Sequence, residues 1–111
     1  MKKVLIVLAL AAALSVSLAA TAMAHTLSER KAAAVAERVA QRDCNNDPDC
    51  SEYAAFKNDC KRASEHRVRC YALNGGTDTG GNYVCERPVL VKMKRNFDLI
   101  FVTGDRTCFR V

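Results

Sequence analysis

Six cysteines, Cys44, Cys50, Cys60, Cys70, Cys85 and Cys108, fall in the C-terminal part of a 111-residue chain, and they constrain its fold more than any other feature. An even count in so short a chain reads as three disulfides, which form and persist in an oxidising compartment. Each native bridge commonly contributes ~2–5 kcal/mol, a large supplement to the modest core of a small domain. Zinc is the competing use of cysteine, but structural zinc sites take cysteine pairs at short spacing, often with histidine. The intervening gaps here are 5, 9, 9, 14 and 22 residues, and His25 and His66 are the two histidines, so no metal or other cofactor is implied. A catalytic cysteine is disfavoured too, because it would have to stay reduced outside the cell with no paired histidine motif around it.

The start of the chain points to export. Met1-Lys2-Lys3 precedes an apolar run from Val4 to Ala13, which continues weakly through Leu14, Val16 and Leu18 to Ala22-Met23-Ala24. A basic start, an apolar centre and small residues around a cut are the three parts of a secretory signal. Cleavage is expected after Ala24, which makes residues 1–24 a signal peptide and leaves a secreted domain of 87 residues, His25 to Val111. A retained anchor would need about 20 predominantly apolar residues. Ser15, Ser17 and Thr21 interrupt the run, so no transmembrane anchor is expected after cleavage.

Thr26-Leu27-Ser28-Glu29 has the form of a capping box and opens an alanine-rich stretch in which Leu27, Ala32, Val35, Ala36 and Val39 share one stripe. This predicts a helix over 27–42. Asp43 to Cys50 is rich in Asn, Asp and Pro and reads as a turn that a Cys44–Cys50 bridge clips shut. Ser51 to Lys57 reads as a short helix, 67–73 as a strand with Val68, Cys70 and Ala72 on one face, and 74–82 as a long, mobile, glycine-rich connection. A strand over 83–94 follows, with an edge or bulge at Pro88, and a last strand over 97–110, bent at Gly104.

Hairpin geometry then constrains the bridges. A turn centred on Asn96-Phe97 opposes Met93 to Ile100, Val91 to Val102 and Cys85 to Cys108, and a turn over 63–66 opposes Cys60 to Cys70. The favoured set is therefore 44–50, 60–70 and 85–108. A hairpin around the glycine stretch that opposes Cys70 to Cys85 remains open among the 15 possible connectivities. The architecture expected is α+β: an N-terminal helix packed on a four-stranded antiparallel meander, a cystatin-like roll without the cystatin inhibitory pattern Gln-x-Val-x-Gly. In this register Leu90, Leu99 and Phe101 lie on the outer face, and a one-residue slip would instead bury Leu99 and Phe101.

Cys60-Lys61-Arg62-Ala63-Ser64-Glu65-His66-Arg67-Val68-Arg69-Cys70, followed by Cys85, a strand of Val, Lys and Arg, and a terminal Cys108, resembles small exported cysteine-rich proteins of actinobacteria. The likeness spans about residues 27–110 and rests mostly on cysteine spacing. It implies a bacterial source, a leading helix, a stapled sheet and basic strands, and brings no activity with it.

Charge is unevenly spread. From His25 to Cys60 the chain carries 5 Lys/Arg against 7 Asp/Glu, and from Lys61 to Val111 it carries 10 against 5. Lys61, Arg62, Arg67, Arg69, Arg87, Lys92, Lys94 and Arg95 are candidates for a basic sheet face. Arg67, Arg69, Lys92, Lys94 and Arg95 are its expected binding residues, with an anionic polymer or a cell-envelope component as the partner. A solvated outer face is the plainer use of the same residues. Asp43, Asn45, Asp47, Asp49 and Ser51 alternate as calcium-loop oxygens do, but Pro48 and Ala54 stand where such a loop needs Gly and Glu, which favours an Asx-bonded turn. His66, beside Glu65 and Arg67, is the one candidate for acid–base work on phosphate esters. The function expected is thus a small, basic, monomeric and non-enzymatic binding module. A secreted nuclease-like hydrolase of anionic polymers and a secreted protease inhibitor are the alternatives. The exported protein should start at His25, weigh six hydrogens less than its reduced form and take up no alkylating reagent, all readable from intact mass with and without reduction.

Overall fold

The computed structural model describes residues 26–111, and the expected signal segment and its cleavage site lie outside the described residues. The helix, α1 (Glu29–Asn45), begins two residues later than the capping box suggests. Leu27 is fully buried, and its N–H donates to the Glu65 carbonyl at 3.0 Å, so it stays extended. Ser28 is therefore the N-cap, its hydroxyl accepting from the Lys31 N–H at 3.1 Å. Ala32, Ala33, Val35, Ala36, Val39 and Ala40 line the buried stripe, and their small side chains let the helix axis lie close to the sheet.

Six strands among the described residues form one antiparallel sheet: β1 (Cys50–Ala54), β2 (Lys61–Ser64), β3 (Arg67–Asp78), β4 (Gly81–Met93), β5 (Leu99–Thr103) and β6 (Thr107–Arg110). β2, β3, β4 and β5 follow one another as the expected meander, while β1 also pairs with β3 and β6 with β4. The sheet is thus four ladder positions wide, with two long central strands and each edge split into two short ones. Val68, Cys70 and Ala72 of β3 and Val89 and Val91 of β4 meet the helix and make the core.

The disulfides are Cys44–Cys50, Cys60–Cys70 and Cys85–Cys108, the favoured set. Cys70 and Cys85 cannot meet, because β3 and β4 pair without a slip and set Cys70 opposite Val89 and Cys85 opposite Asn74. Three bridges in a domain of this size belong to an extracellular, oxidising compartment.

Three local expectations change. Residues 50–54 are strand β1 rather than helix, and a single 3-10 turn follows at Lys57–Asp59. Pairing with the edge of β3 outweighs the weak helical pattern of seven residues. The glycine stretch is not a loop: β3 runs to Asp78, and only Thr79 and Gly80 separate it from β4. Gly75 and Gly76 answer to close packing instead, and Gly81 to the left-handed φ of 107° at the hairpin turn. A Cβ at Gly76 would sit 1.9 Å from the Asp49 carbonyl oxygen, so only glycine lets the clipped turn lie against β3.

The third change is the β4–β5 register. Phe97 adopts φ 68°, the left-handed residue of a three-residue hairpin loop, and Lys94 closes the loop on the Asp98 carbonyl at 2.9 Å. Met93 therefore faces Leu99 and Val91 faces Phe101, one residue from the expected register. Leu99 turns inward and packs on the core, Phe101 turns to the helix side, and Ile100 and Val102 take the outer face beside Leu90. One extra residue near Gly104 restores the offset before Cys108, opposite Pro88, which has no N–H to donate to the ladder. Gly76→Ala should cost about 1–3 kcal/mol in urea unfolding of the oxidised protein, whereas Thr79→Ala in the exposed turn should change it by less than about 0.5 kcal/mol.

Candidate functional site

The two faces of the sheet use charge differently. On the helix side, charge holds the C-terminal end of α1 to the sheet. Asp43, 8% exposed, takes Arg87 Nε at 2.7 Å on one carboxylate oxygen and Arg87 Nη2 at 3.3 Å on the other. In the turn just past the helix, Asp47 accepts from the Tyr83 hydroxyl at 2.8 Å and from Arg106 Nη2 at 2.9 Å. Arg106 also donates to Asn74 Oδ1 at 2.7 Å, and Asn74 donates to the Ala40 carbonyl at 3.3 Å, which closes the network onto the helix. Among the described residues no buried polar side-chain atom lacks a partner.

The alternating acidic residues are thus tied to arginines and turns rather than arrayed around an ion. Asp49 N–H donates to Asp47 Oδ1 at 3.1 Å, the Asx turn that their spacing favours. Among the described residues no group of three His, Cys, Asp or Glu side chains is placed to hold a metal. The Tyr83 hydroxyl and then Arg106 hold the Asp47 carboxyl below its usual range, and burial followed by the bond to Asp47 pushes the Tyr83 phenol up. At the far end of the β3–β4 hairpin, Arg110 and the Gly80 N–H lower the Asp78 carboxyl in the same way.

Two of the eight candidate cations leave the basic face for structural work. Arg87 points to the helix side and binds Asp43. Arg62 donates to the carbonyls of Leu27, Ser64 and Glu65, and so fastens the segment before α1 to the β2–β3 turn. On the outer face, cross-strand pairing sets Lys61 beside Arg69, Arg69 beside Leu90, and Arg67 beside Lys92. Lys94 and Arg95 stand exposed in the adjoining β4–β5 turn. The three ion pairs of the described residues involve none of these six cations. Alternation along β3 and β4 leaves Glu86, opposite Leu73 midway along the ladder, as the one carboxylate on their outer side.

Tyr71 shares this face with Arg67 and Arg69, two residues further along the strand, and stands opposite Pro88. The alternation that buries Val68, Cys70 and Ala72 already implies its position, which attention to charge alone passes over. Beyond Tyr71 the face opens into a shallow groove of about 740 Å³ lined by Glu52, Phe56, Leu73, Gly75, Val84 and Val111 among others. His66 lies exposed in the β2–β3 turn, where its carbonyl accepts from the Met93 N–H at 2.9 Å.

Comparison of the chain with known protein families, curated proteins and solved structures found no match. The geometry therefore carries the functional argument. The Asp47 network itself sets a pH window. A carboxyl lowered in the folded state contributes stability above its unfolded value, about 3.9, and loses it as pH falls through the lower folded value. A phenol raised in the folded state contributes below about pH 10 and loses that contribution as pH rises through the higher folded value. Melting temperatures followed by circular dichroism should fall below about pH 4 and above about pH 10, and Asp47→Asn should lower the plateau by a few degrees and flatten the acid limb.

Proposed function

We propose that this protein is an exported, non-enzymatic binding module whose uncovered sheet face takes up an anionic polymer or another anionic component of the cell envelope. The basic, apolar and small-residue order of residues 1–24 supports cleavage after Ala24 and release of a domain that starts at His25. The observation that carries the binding reading is the gathering of Lys61, Arg67, Arg69 and Lys92 on one sheet face, with none of them in an ion pair among the described residues. Unneutralised cations on a rigid two-strand platform attract polyanions at long range, and that attraction is screened by salt. Tyr71 and Leu90 add apolar area for the sugar or backbone portions of a polymer, and Lys94 and Arg95 extend the charge past the end of β4.

The alternatives have less behind them. A hydrolase would rest on His66, which stands exposed in a turn and is expected to be dispensable. An inhibitor would present a rigid loop to a protease, 74–82 or another, and residues 74–82 are paired ladder with a two-residue turn. On an immobilised anionic polymer such as dextran sulfate, the mature protein should be retained at low salt and released as salt rises. The pair of charge reversals Arg67→Glu and Lys92→Glu should weaken retention roughly tenfold. Arg30→Glu on the far side of the helix should leave it unchanged. Equal retention of the double variant and the unaltered protein would remove the basic face from the account.

A further inference from the structure

We propose that the protein pairs with a second copy of itself through the free edge of β5, in an antiparallel register centred on Phe101. Helix α1 packs mainly on β1, β3 and β4, so β5 projects past the layer that covers the core. Among the described residues β5 pairs only with β4, and Ile100, Phe101 and Val102 are 40%, 45% and 56% exposed. Leu99-Ile100-Phe101-Val102-Thr103 contains no charge and no proline, the usual devices that keep an edge strand from pairing with another chain.

The hydrogen-bond pattern selects the register. At the two ends of the β4–β5 ladder, Lys94 N–H donates to the Asp98 carbonyl and Gly104 N–H to the Pro88 carbonyl, each at 2.9 Å. Ladder positions alternate, so Ile100 and Val102 aim their backbone groups at β4, while Leu99, Phe101 and Thr103 aim theirs away from the sheet. These three outward positions are symmetric about Phe101. A twofold axis at Phe101 sets Phe101 opposite itself and Leu99 opposite Thr103 of the second copy, and each of these pairs exchanges both backbone bonds. No outward group of the strand is left over.

The side chains suit the same symmetry. Phe101 meets Phe101 on the helix side, and Ile100 meets Val102 of the second copy on the outer side, which are favourable aromatic and β-branched cross-strand pairs. Charge is complementary at the flanks. Pairing carries the exposed Asp105 of each copy toward the hairpin tip of the other, where Lys94 and Arg95 stand, and none of the three takes part in an ion pair among the described residues. A twofold interface forms this contact twice. The dimer departs from the monomer that the sequence suggests. It also stands independently of the polymer-binding proposal, because it uses the edge of the sheet and that proposal uses its face.

Sedimentation equilibrium on the mature, oxidised chain, joined to amide hydrogen exchange, tests the pairing. The mass should rise toward twice that of one chain from micromolar to submillimolar concentration. Over the same range the amides of Leu99, Phe101 and Thr103 should become at least about tenfold more protected, while those of Ile100 and Val102 stay as they are. Phe101→Lys, which sets like charges face to face at the axis, should give a monomer with the β3–β4 ladder still protected. Phe56→Lys, on the β1 side of the sheet, should leave the dimer intact. A monomer at every concentration overturns the proposal. So does a dimer whose Leu99, Phe101 and Thr103 amides exchange independently of concentration. Should Phe101→Lys fail to fold, exchange in the unaltered protein decides the question alone.

Discussion

The structure depends on a covalent constraint placed where the sheet is discontinuous. β3 and β4 pair along their whole length, but both flanks are interrupted: β1 and β2 share one side of β3, and β5 and β6 share one side of β4. Short strands of four or five residues contribute few ladder bonds each and fray easily. Cys60–Cys70 fastens the chain to β3 between β1 and β2, and Cys85–Cys108 fastens β6 to β4 just after the irregularity at Pro88 and Gly104. Cys44–Cys50 joins the end of the helix to the start of β1. Each bridge therefore secures a joint that hydrogen bonding alone would leave weak, in a domain whose core is built largely from alanine and valine.

Buried charge performs the second fastening. Asp43 in the last turn of α1 and Asp47 in the turn that follows it reach Arg87 and Arg106 on the sheet, with Asn74 and Tyr83 completing the bonds. By sequence the acidic residues read as turn formers or, less favourably, as calcium oxygens, and Arg87 as a surface cation. Nothing local distinguishes these roles, since the partners are separated by 44 and 59 residues along the chain. Which cations are neutralised is a property of the folded contact, and it decides which cations remain for an external ligand.

Arg67, Arg69 and Lys92 share a face because strand periodicity puts them there, and that much was legible from β3 and β4 alone. Tyr71 was legible by the same rule. The apolar edge was legible only in part, because its orientation hinges on one residue of hairpin geometry. Phe97 in the left-handed region lengthens the loop, turns Leu99 to the core and sends Ile100 and Val102 outward. An aromatic residue gives no warning of that conformation, which glycine or asparagine would have signalled. A β5–β5 pairing would set the basic faces of two copies on the same side of one continuous sheet, so face and edge would act together on an extended ligand.

The sequence by itself determined the oxidising compartment, the α+β class and the meander, and favoured the three disulfide partners, whereas the slip-free pairing of β3 with β4 is what rules out Cys70–Cys85. Cysteine count, alternation and hairpin spacing are local regularities that survive without knowledge of packing. The tertiary structure alone decided that the glycine stretch is ladder, that residues 50–54 are strand, and that Arg62 and Arg87 are internal fasteners. Each of those outcomes depends on what another segment brings alongside: the clipped turn against Gly76, the edge of β3 beside residues 50–54, the carbonyls around Leu27 for Arg62, and the end of α1 over Arg87.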